Sequence, residues 1–221
     1  MTARYDRAKR LLDVTVAAAV LVAGAPFAAY CVWRIKREDG GPLLYRGSRV
    51  GLGGAPFAML KFRSMVVDAA FLGSSSTADD DPRLTATGRM LRRWKLDELP
   101  QFYNVLVGDM SLVGPRPQVP SEVSRYTERE RALLTVKPGI TDWASIVFRD
   151  EGGILAGHDD PDLAYDLLIR PRKIALGLAY VQDHNLRVDV QILVLTALAV
   201  LGVRRVDDLL LRALPATPAA V

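Results

Sequence analysis

A long apolar run from Leu11 to Trp33 constrains this chain more than any other stretch. Arg4, Arg7, Lys9 and Arg10 precede it, and Arg34, Lys36 and Arg37 follow it. Roughly 20 apolar residues cross a bilayer as a helix, so the run is long enough to do so once. It is too long for the apolar part of a signal peptide, and no cleavage site ends it. Cations at both ends leave the positive-inside bias without a direction. Gly24-Ala25-Pro26 also falls inside the run, where proline removes a backbone donor and kinks a helix. Taken as two arms, Leu11–Ala25 would rise roughly 22 Å and Phe27–Ile35 roughly 13 Å. Neither arm alone crosses a hydrocarbon core about 30 Å thick. Two readings stay level on these residues, a straight span or a helix broken at Ala25-Pro26 that enters and leaves on one side; a buried soluble helix comes third, since so long an apolar run needs a large core around it.

The remainder is enough for one compact domain in a chain of 221 residues, half of them apolar. A net charge of +4 favours an anionic partner, whether membrane surface, nucleotide or nucleic acid. The single cysteine, Cys31, excludes an intrachain disulfide and sits among apolar residues as a small hydrophobe. His158 and His184 have no metal-ligand spacing.

After Gly40-Gly41-Pro42, a strand at Leu43–Tyr45, a turn at Val50–Pro56 and a returning strand at Phe57–Arg63 predict a hairpin. Lys61 and Arg63 alternate onto one strand face and could line an anion site. Gly73-Ser74-Ser75-Ser76-Thr77 and Asp79-Asp80-Asp81 read as a solvated polar loop. Thr87 is placed to cap a short helix carrying Arg89, Arg92 and Arg93.

Chemistry concentrates in Trp94-Lys95-Leu96-Asp97-Glu98-Leu99-Pro100-Gln101. Proline is tolerated in a helix's first turn, which sets Asp97 and Glu98 at the positive end of a helix running on through Phe102–Val107. Arg89, Arg92, Arg93 and Lys95 crowd just before the pair. A carboxylate pair among cations suits phosphate chemistry with a metal; it is also an ordinary charged helix start. Beyond Gly108-Asp109, Pro115 and Pro117 stiffen the loop that presents Arg116, a fork suited to phosphate. Further on, Ser121–Leu134 predicts an amphipathic helix and Lys137-Pro138-Gly139 a pinned turn. Ala144–Phe148 predicts a short strand, and Asp160-Pro161 the cap and first residue of a helix. Pro171–Gln182 predicts another helix. Asp189–Val203 is apolar, and lies against a membrane face or docks on the N-terminal arm. Leu214–Pro218 predicts a disordered tail.

The motifs Lys61-Phe62-Arg63-Ser64-Met65, Asp81-Pro82-Arg83-Leu84-Thr85, Leu96-Asp97-Glu98-Leu99-Pro100-Gln101, Gly108-Asp109-Met110-Ser111-Leu112-Val113-Gly114-Pro115-Arg116-Pro117 and Lys137-Pro138-Gly139-Ile140-Thr141 follow the basic-flanked apolar segment in that order. In this the chain resembles the monotopic phosphoglycosyl transferases, bacterial sugar transferases that start glycan assembly on a polyprenyl carrier. The likeness runs from about Arg7 to about Val203. It implies an α/β fold, mostly helical with a small β-hairpin, in the small core form of the family. Residues 1–39 would form a re-entrant helix-break-helix with its kink at Pro26. Residues 40–187 would form a compact cytoplasmic catalytic domain at the bacterial inner membrane, and 188–221 an interfacial helix and tail. Three departures stand out: Ala25-Pro26 where the family has Ser-Pro, Lys95 where many relatives carry Ser or Thr, and Asp142-Trp143-Ala144-Ser145 where many have Gly-x-Ala-Gln.

The resemblance also implies a mechanism. Asp97 would attack the β-phosphorus of a UDP-sugar and release UMP. Polyprenyl phosphate would then take the phosphosugar from Asp97. Mg²⁺ would be the cofactor, held by Asp97 and Glu98, with Glu98 either a ligand or an aid to the lipid phosphate. Lys61, Arg63, Arg89, Arg92 and Arg116 are the candidates to hold the diphosphate, with Arg116 first and Arg92 last. Partners are a UDP-sugar, polyprenyl phosphate and bacterial membrane lipids, without nucleic acid; a homodimer is left open. Two other readings are a membrane-bound Mg²⁺-dependent nucleotide-sugar phosphohydrolase and a basic membrane-attached binding module.

Overall fold

The computed structural model of the chain describes residues 3–69, 77–203 and 205–215. Gly73–Ser76 of the predicted polar loop and residues 216–218 of the predicted tail lie outside them.

The apolar run forms a single helix, α1 (Ala3–Asp39), 37 residues long with Pro26 inside it. Ala25 and Pro26, the expected place of the break, lie within that helix. Losing one backbone hydrogen bond and crowding the preceding turn costs about 3 kcal/mol. Packing on both sides of Pro26 opposes that cost. Lys9, Asp13, Ala17, Gly24, Ala28, Cys31 and Ile35 recur at spacings of three, four or seven, which is one helix face. Along that face Lys9 donates to the Val113 carbonyl at 2.9 Å, and Asp13 accepts from the Leu112 amide at 2.9 Å. Ala17 joins the main core, and Gly24 lies against Leu99. Cys31 and Ile35 pack with Phe62 and Leu91. The other side leaves Leu11, Val22 and Trp33 exposed. An apolar strip of this size on one long helix is compatible with membrane association.

β1 (Leu44–Val50) and β2 (Pro56–Phe62) form the expected antiparallel hairpin, in register from Leu44↔Phe62 to Val50↔Pro56. α2 (Ala86–Arg93) follows, capped by Thr85 rather than Thr87: the Thr85 hydroxyl accepts from the Gly88 amide at 2.9 Å. The chain then passes through a 3₁₀ turn, Leu96–Glu98, into α3 (Gln101–Val107). Pro100 is the N-cap of α3, so the carboxylate pair lies in the turn before that helix.

A second sheet was not anticipated. β3 (Ser111–Val113) pairs in parallel with β4 (Gly139–Thr141). Three residues per strand are too few to give a readable alternation. Between them the predicted helix Ser121–Leu134 is split into α4 (Pro120–Ser124) and a 3₁₀ turn, Glu130–Thr135. Thr127 and Glu130 cause the interruption by capping each other reciprocally: the Thr127 amide donates to Glu130 at 2.7 Å and the Glu130 amide to Thr127 at 3.3 Å.

The predicted strand at Ala144–Phe148 is instead helix α5 (Trp143–Val147). Its start is fixed by the Asp142 carboxylate, which accepts from the Ser145 amide at 2.6 Å. α6 (Glu151–Leu155), α7 (Pro161–Leu168, capped by Asp160) and α8 (Arg170–Asp183) complete that side. α9 (Leu186–Val200) docks on the N-terminal arm, where Asp189 receives Lys9 at 3.0 Å and the Tyr5 hydroxyl at 2.9 Å. α10 (Val206–Ala213) precedes the tail. The principal core joins Ala17, Met59, Val105, Leu112, Trp143, Leu176, Ile192 and Leu210. The result is mostly helical with two small sheets.

Candidate active site

Three elements converge on the Leu96–Glu98 turn. α2 leads into it, and its start is tied to α1: Glu38 accepts from the Ala86 amide at 2.9 Å and the Thr87 amide at 3.1 Å. Lys95 reverses the chain in the left-handed region, at φ 54°. A non-glycine residue there carries about 1–2 kcal/mol of strain, which the surrounding packing must hold. α3 is fixed to the hairpin by Asn104, which accepts from the Leu60 amide at 3.0 Å and donates to the Ala58 carbonyl at 2.9 Å.

Asp97 is buried, and its Oδ1 has no hydrogen-bond partner. Its Oδ2 lies 3.9 Å from Lys61 Nζ. Lys61 reaches across from β2 and also donates to Glu98 Oε1 at 3.1 Å. The same Glu98 oxygen accepts from Arg116 Nη2. Glu98 is therefore clamped by two cations, while Asp97 keeps one oxygen free.

The charges divide accordingly. Burial pushes the Asp97 carboxyl above its ordinary value, with Lys61 and Arg92 opposing and Glu98 adding to the rise. Burial alone would raise Glu98 too, but Arg116 and Lys61 outweigh it and hold Glu98 well below the carboxylate range. Glu98 in turn raises the Arg116 guanidinium. Burial lowers the Lys61 ammonium against the pull of Glu98. By linkage, a depressed carboxylate stabilises the fold fully above its unfolded value, about 4.3, and loses that contribution as pH falls through the folded value. The raised Asp97 acts oppositely, losing its contribution as pH rises. Glu98→Gln is therefore expected to flatten the loss of thermal stability below about pH 4, seen in melting temperature against pH. An unchanged acid slope would contradict the clamp.

Of the other predicted cations, Arg92 bears on Asp97 electrostatically and reaches the Thr77 carbonyl at 3.5 Å. Arg89 donates to the Leu84 carbonyl at 2.9 Å. Arg63 is buried and paired with Asp39, so it ties the end of α1 to the hairpin rather than joining Lys61 at the pair. Ala25 and Pro26 lie next to Gly24, whose neighbour is Leu99 of the same turn. The midpoint of α1 thus rests on the site.

Gln101 was overlooked. It is fully buried, and neither its amide oxygen nor its nitrogen has a partner. Asp97, Gln101 and Asn104 repeat at i, i+4 and i+7, and that periodicity of polar residues was the available signal. A buried amide without partners costs about 1–3 kcal/mol. Gln101→Leu is therefore expected to leave the melting temperature unchanged or raise it. A clear fall would mean that the amide is satisfied in the native protein.

An apolar helix compatible with membrane association lies along the domain, and the turn that carries the cation-braced carboxylate pair packs against its middle. The model of the bacterial sugar transferase family matches residues 4–203, and the chain belongs to that family. It is 37% identical over 205 residues to the galactosyl transferase CpsE of Streptococcus agalactiae, covering 88% of this chain and 42% of that protein. It is 36% identical over 208 residues to the undecaprenyl-phosphate galactose phosphotransferase of Salmonella typhimurium, covering 87% and 40%. A UDP-glucose:undecaprenyl-phosphate glucose-1-phosphate transferase of Caulobacter vibrioides is 38% identical over 196 residues, covering 86% and 68%. The chain thus spans about two-fifths of the length of the first two relatives.

Proposed function

We propose that the protein transfers a sugar-1-phosphate from a UDP-sugar to polyprenyl phosphate, releasing UMP. The observation that carries this reading is the unequal carboxylate pair: Asp97 with a free, buried oxygen beside Lys61, and Glu98 held by Lys61 and Arg116. A buried carboxylate poorly solvated by water and poorly neutralised by protein is a reactive nucleophile towards an electrophile that arrives with its own cation. In the first half-reaction an Asp97 oxygen bonds to the β-phosphorus as the bond to the UMP oxygen breaks. In the second, an oxygen of polyprenyl phosphate displaces the Asp97 carboxylate, giving a polyprenyl-diphosphosugar. Arg116 and Lys61 hold charge developing on the phosphoryl oxygens, which is most of what phosphoryl transfer requires.

Mg²⁺ fits this donor set. Among the described residues no group of three or more acidic, histidine or cysteine ligands exists. Mg²⁺ is commonly bound by one or two carboxylates together with substrate phosphates. Asp97 Oδ1 and Glu98 would hold it, and when bound it would supply charge neutralisation between carboxylates and diphosphate. The cation-on-one-face candidate Arg63 is left out of the phosphate set, since Asp39 engages it.

The membrane arrangement in this proposal is re-entrant, with the domain on the cytoplasmic face of the inner membrane. It is supported by attachment of both ends of α1 to the same domain: Lys9 to Asp189 near the start, and Asp39 to Arg63 at the end. A straight crossing would require one of these pairs to part. Such an anchor keeps Asp97 near the headgroup level and raises the effective concentration of the lipid phosphate.

The test is a panel of UDP-sugars with polyprenyl phosphate and Mg²⁺, read as UMP release, together with mass spectrometry of the Asp97 peptide. The proposal expects lipid-dependent turnover and a phosphosugar mass on that peptide. Sustained UMP release over many turnovers without lipid would instead establish a phosphohydrolase. No release with any donor would leave a binding module.

A further inference from the structure

The hairpin face that carries Lys61 to the carboxylate pair carries a second feature. Strand alternation puts Tyr45, Gly47 and Arg49 of β1 on the same face as Phe57, Met59 and Lys61 of β2, with Tyr45 directly opposite Lys61. Gly47 leaves room over the strand: a Cβ there would come within 2.8 Å of the Tyr45 ring and 3.2 Å of Arg49 Nη1. The ring and the guanidinium therefore lie side by side across bare backbone. Tyr45 is 46% exposed, so its ring is open to a ligand.

Arg49 is only partly exposed; it donates to the neighbouring Ser48 carbonyl at 2.9 Å and hydrogen-bonds the Tyr45 side chain. Among the described residues, no carboxylate lies within ion-pair distance of it. The strand end beside it is tied to the Arg116 loop, where the Val50 amide donates to the Gln118 carbonyl at 3.0 Å; burial lowers the Arg49 guanidinium, Tyr45 opposes, and Arg116 adds to the lowering. Arg116 has Glu98 as a counter-ion, and Arg49 has none. A guanidinium without a carboxylate partner, on the strand end tied to the loop that carries Arg116, suits an anion held by both. A phosphate accepts from both forks.

We propose that Tyr45, Gly47 and Arg49 form the leaving-group subsite for the nucleoside monophosphate. Arg49 and Arg116 hold the phosphate that departs with the nucleoside, and the Tyr45 ring carries the base. This rests on the nucleotide-sugar reading above and extends it to residues that no motif marked. Arg116 then serves two phosphates, clamping Glu98 at the reacting one and sharing the departing one with Arg49. Stacking on one aromatic ring contributes about 1–3 kcal/mol per base, which gives the ring enough weight to matter.

The experiment measures UMP affinity by calorimetry on the whole protein in lipid nanodiscs. Arg49→Gln is expected to weaken UMP at least about tenfold, which is about 1.4 kcal/mol. Gly47→Ala keeps every charge but displaces ring and guanidinium, and it is expected to weaken UMP as well. Arg46→Gln, on the opposite face of β1, should leave affinity unchanged. Tyr45→Ala should weaken UMP yet spare inorganic phosphate. Transfer from a preformed adduct to polyprenyl phosphate should proceed at the wild-type rate in Arg49→Gln. Wild-type UMP affinity in both Arg49→Gln and Gly47→Ala overturns the subsite, as does an equal loss in Arg46→Gln. So does a wild-type protein that does not bind UMP. UMP binding that depends on Arg49, without any adduct on Asp97, would retain the subsite and sink the transferase mechanism.

Discussion

Asp97→Asn is expected to abolish the phosphosugar adduct and to lower UMP release by a factor on the order of 10³ to 10⁶, the range lost when a covalent nucleophile is removed. The replacement is nearly isosteric, so it tests charge and nucleophilicity rather than packing. It should also leave the fold intact. Burial disfavours the charged form of Asp97, so a neutral amide at that place removes an electrostatic cost. The expected signature is thus a melting temperature equal to or above that of the wild type, with no activity. Glu98→Gln should behave differently. Lys61 and Arg116 lose an anionic partner that both contact, so turnover slows while the adduct still forms on Asp97. Mass spectrometry of the two variants, with melting curves beside it, separates these outcomes. An adduct persisting in Asp97→Asn would overturn the nucleophile assignment. An adduct lost only in Glu98→Gln would exchange the two roles.

Much of this site could be read from residues alone because its signals are local. Asp97 and Glu98 are adjacent, Pro115 and Pro117 announce the stiff loop around Arg116, and the glycine-rich turn Gly51–Gly54 announces the hairpin that brings Lys61. What escaped was set by partners distant in sequence. Strand alternation puts Lys61 and Arg63 on one face, but nothing local shows that Asp39 captures Arg63 across the end of α1. The β3–β4 sheet is short and its strands are separated by α4 and a 3₁₀ turn, so its pairing leaves no pattern. The mistaken strand at Ala144–Phe148 had a readable remedy. Asp142 followed three residues later by Ser145 is a helix cap, and the apolar residues after it merely look like a strand. Pro26 within α1 is a case of the same kind. Proline's penalty is a local quantity, whereas the continuity of α1 depends on what Ala17, Gly24, Ala28 and Cys31 touch.

That same β3–β4 contact carries a large expected effect on stability, through Gly139→Ala. The Gly139 amide donates to the Pro115 carbonyl at 3.1 Å, and the Gly114 amide donates to the Thr141 carbonyl at 3.0 Å. The two turns are pressed together backbone to backbone. A Cβ on Gly139 would overlap the amide nitrogen and carbonyl oxygen of Gly114 and come within 2.7 Å of the Val113 carbonyl carbon. Backbone cannot rotate away as a side chain can, so β3 and β4 must separate. Separation breaks the pairing and opens the core around Val113 and Leu112, for an expected loss of about 3 kcal/mol or more. Arg116 follows Gly114 by two residues, and its second bond runs to the Ile140 carbonyl beside Gly139. The fraction that still folds should therefore have a displaced Arg116 and a released Glu98. Gly24→Ala provides the contrast. Its Cβ would meet only the Leu99 methyl groups, at 3.0 and 3.2 Å, and a leucine terminus can turn aside. That substitution is expected to cost less than about 1 kcal/mol, since Ala also favours the helix. Urea titrations of the two variants decide the matter. Equal midpoints would mean that the Arg116 loop does not rest on β4, and the stiffness assigned to that guanidinium would lose its basis.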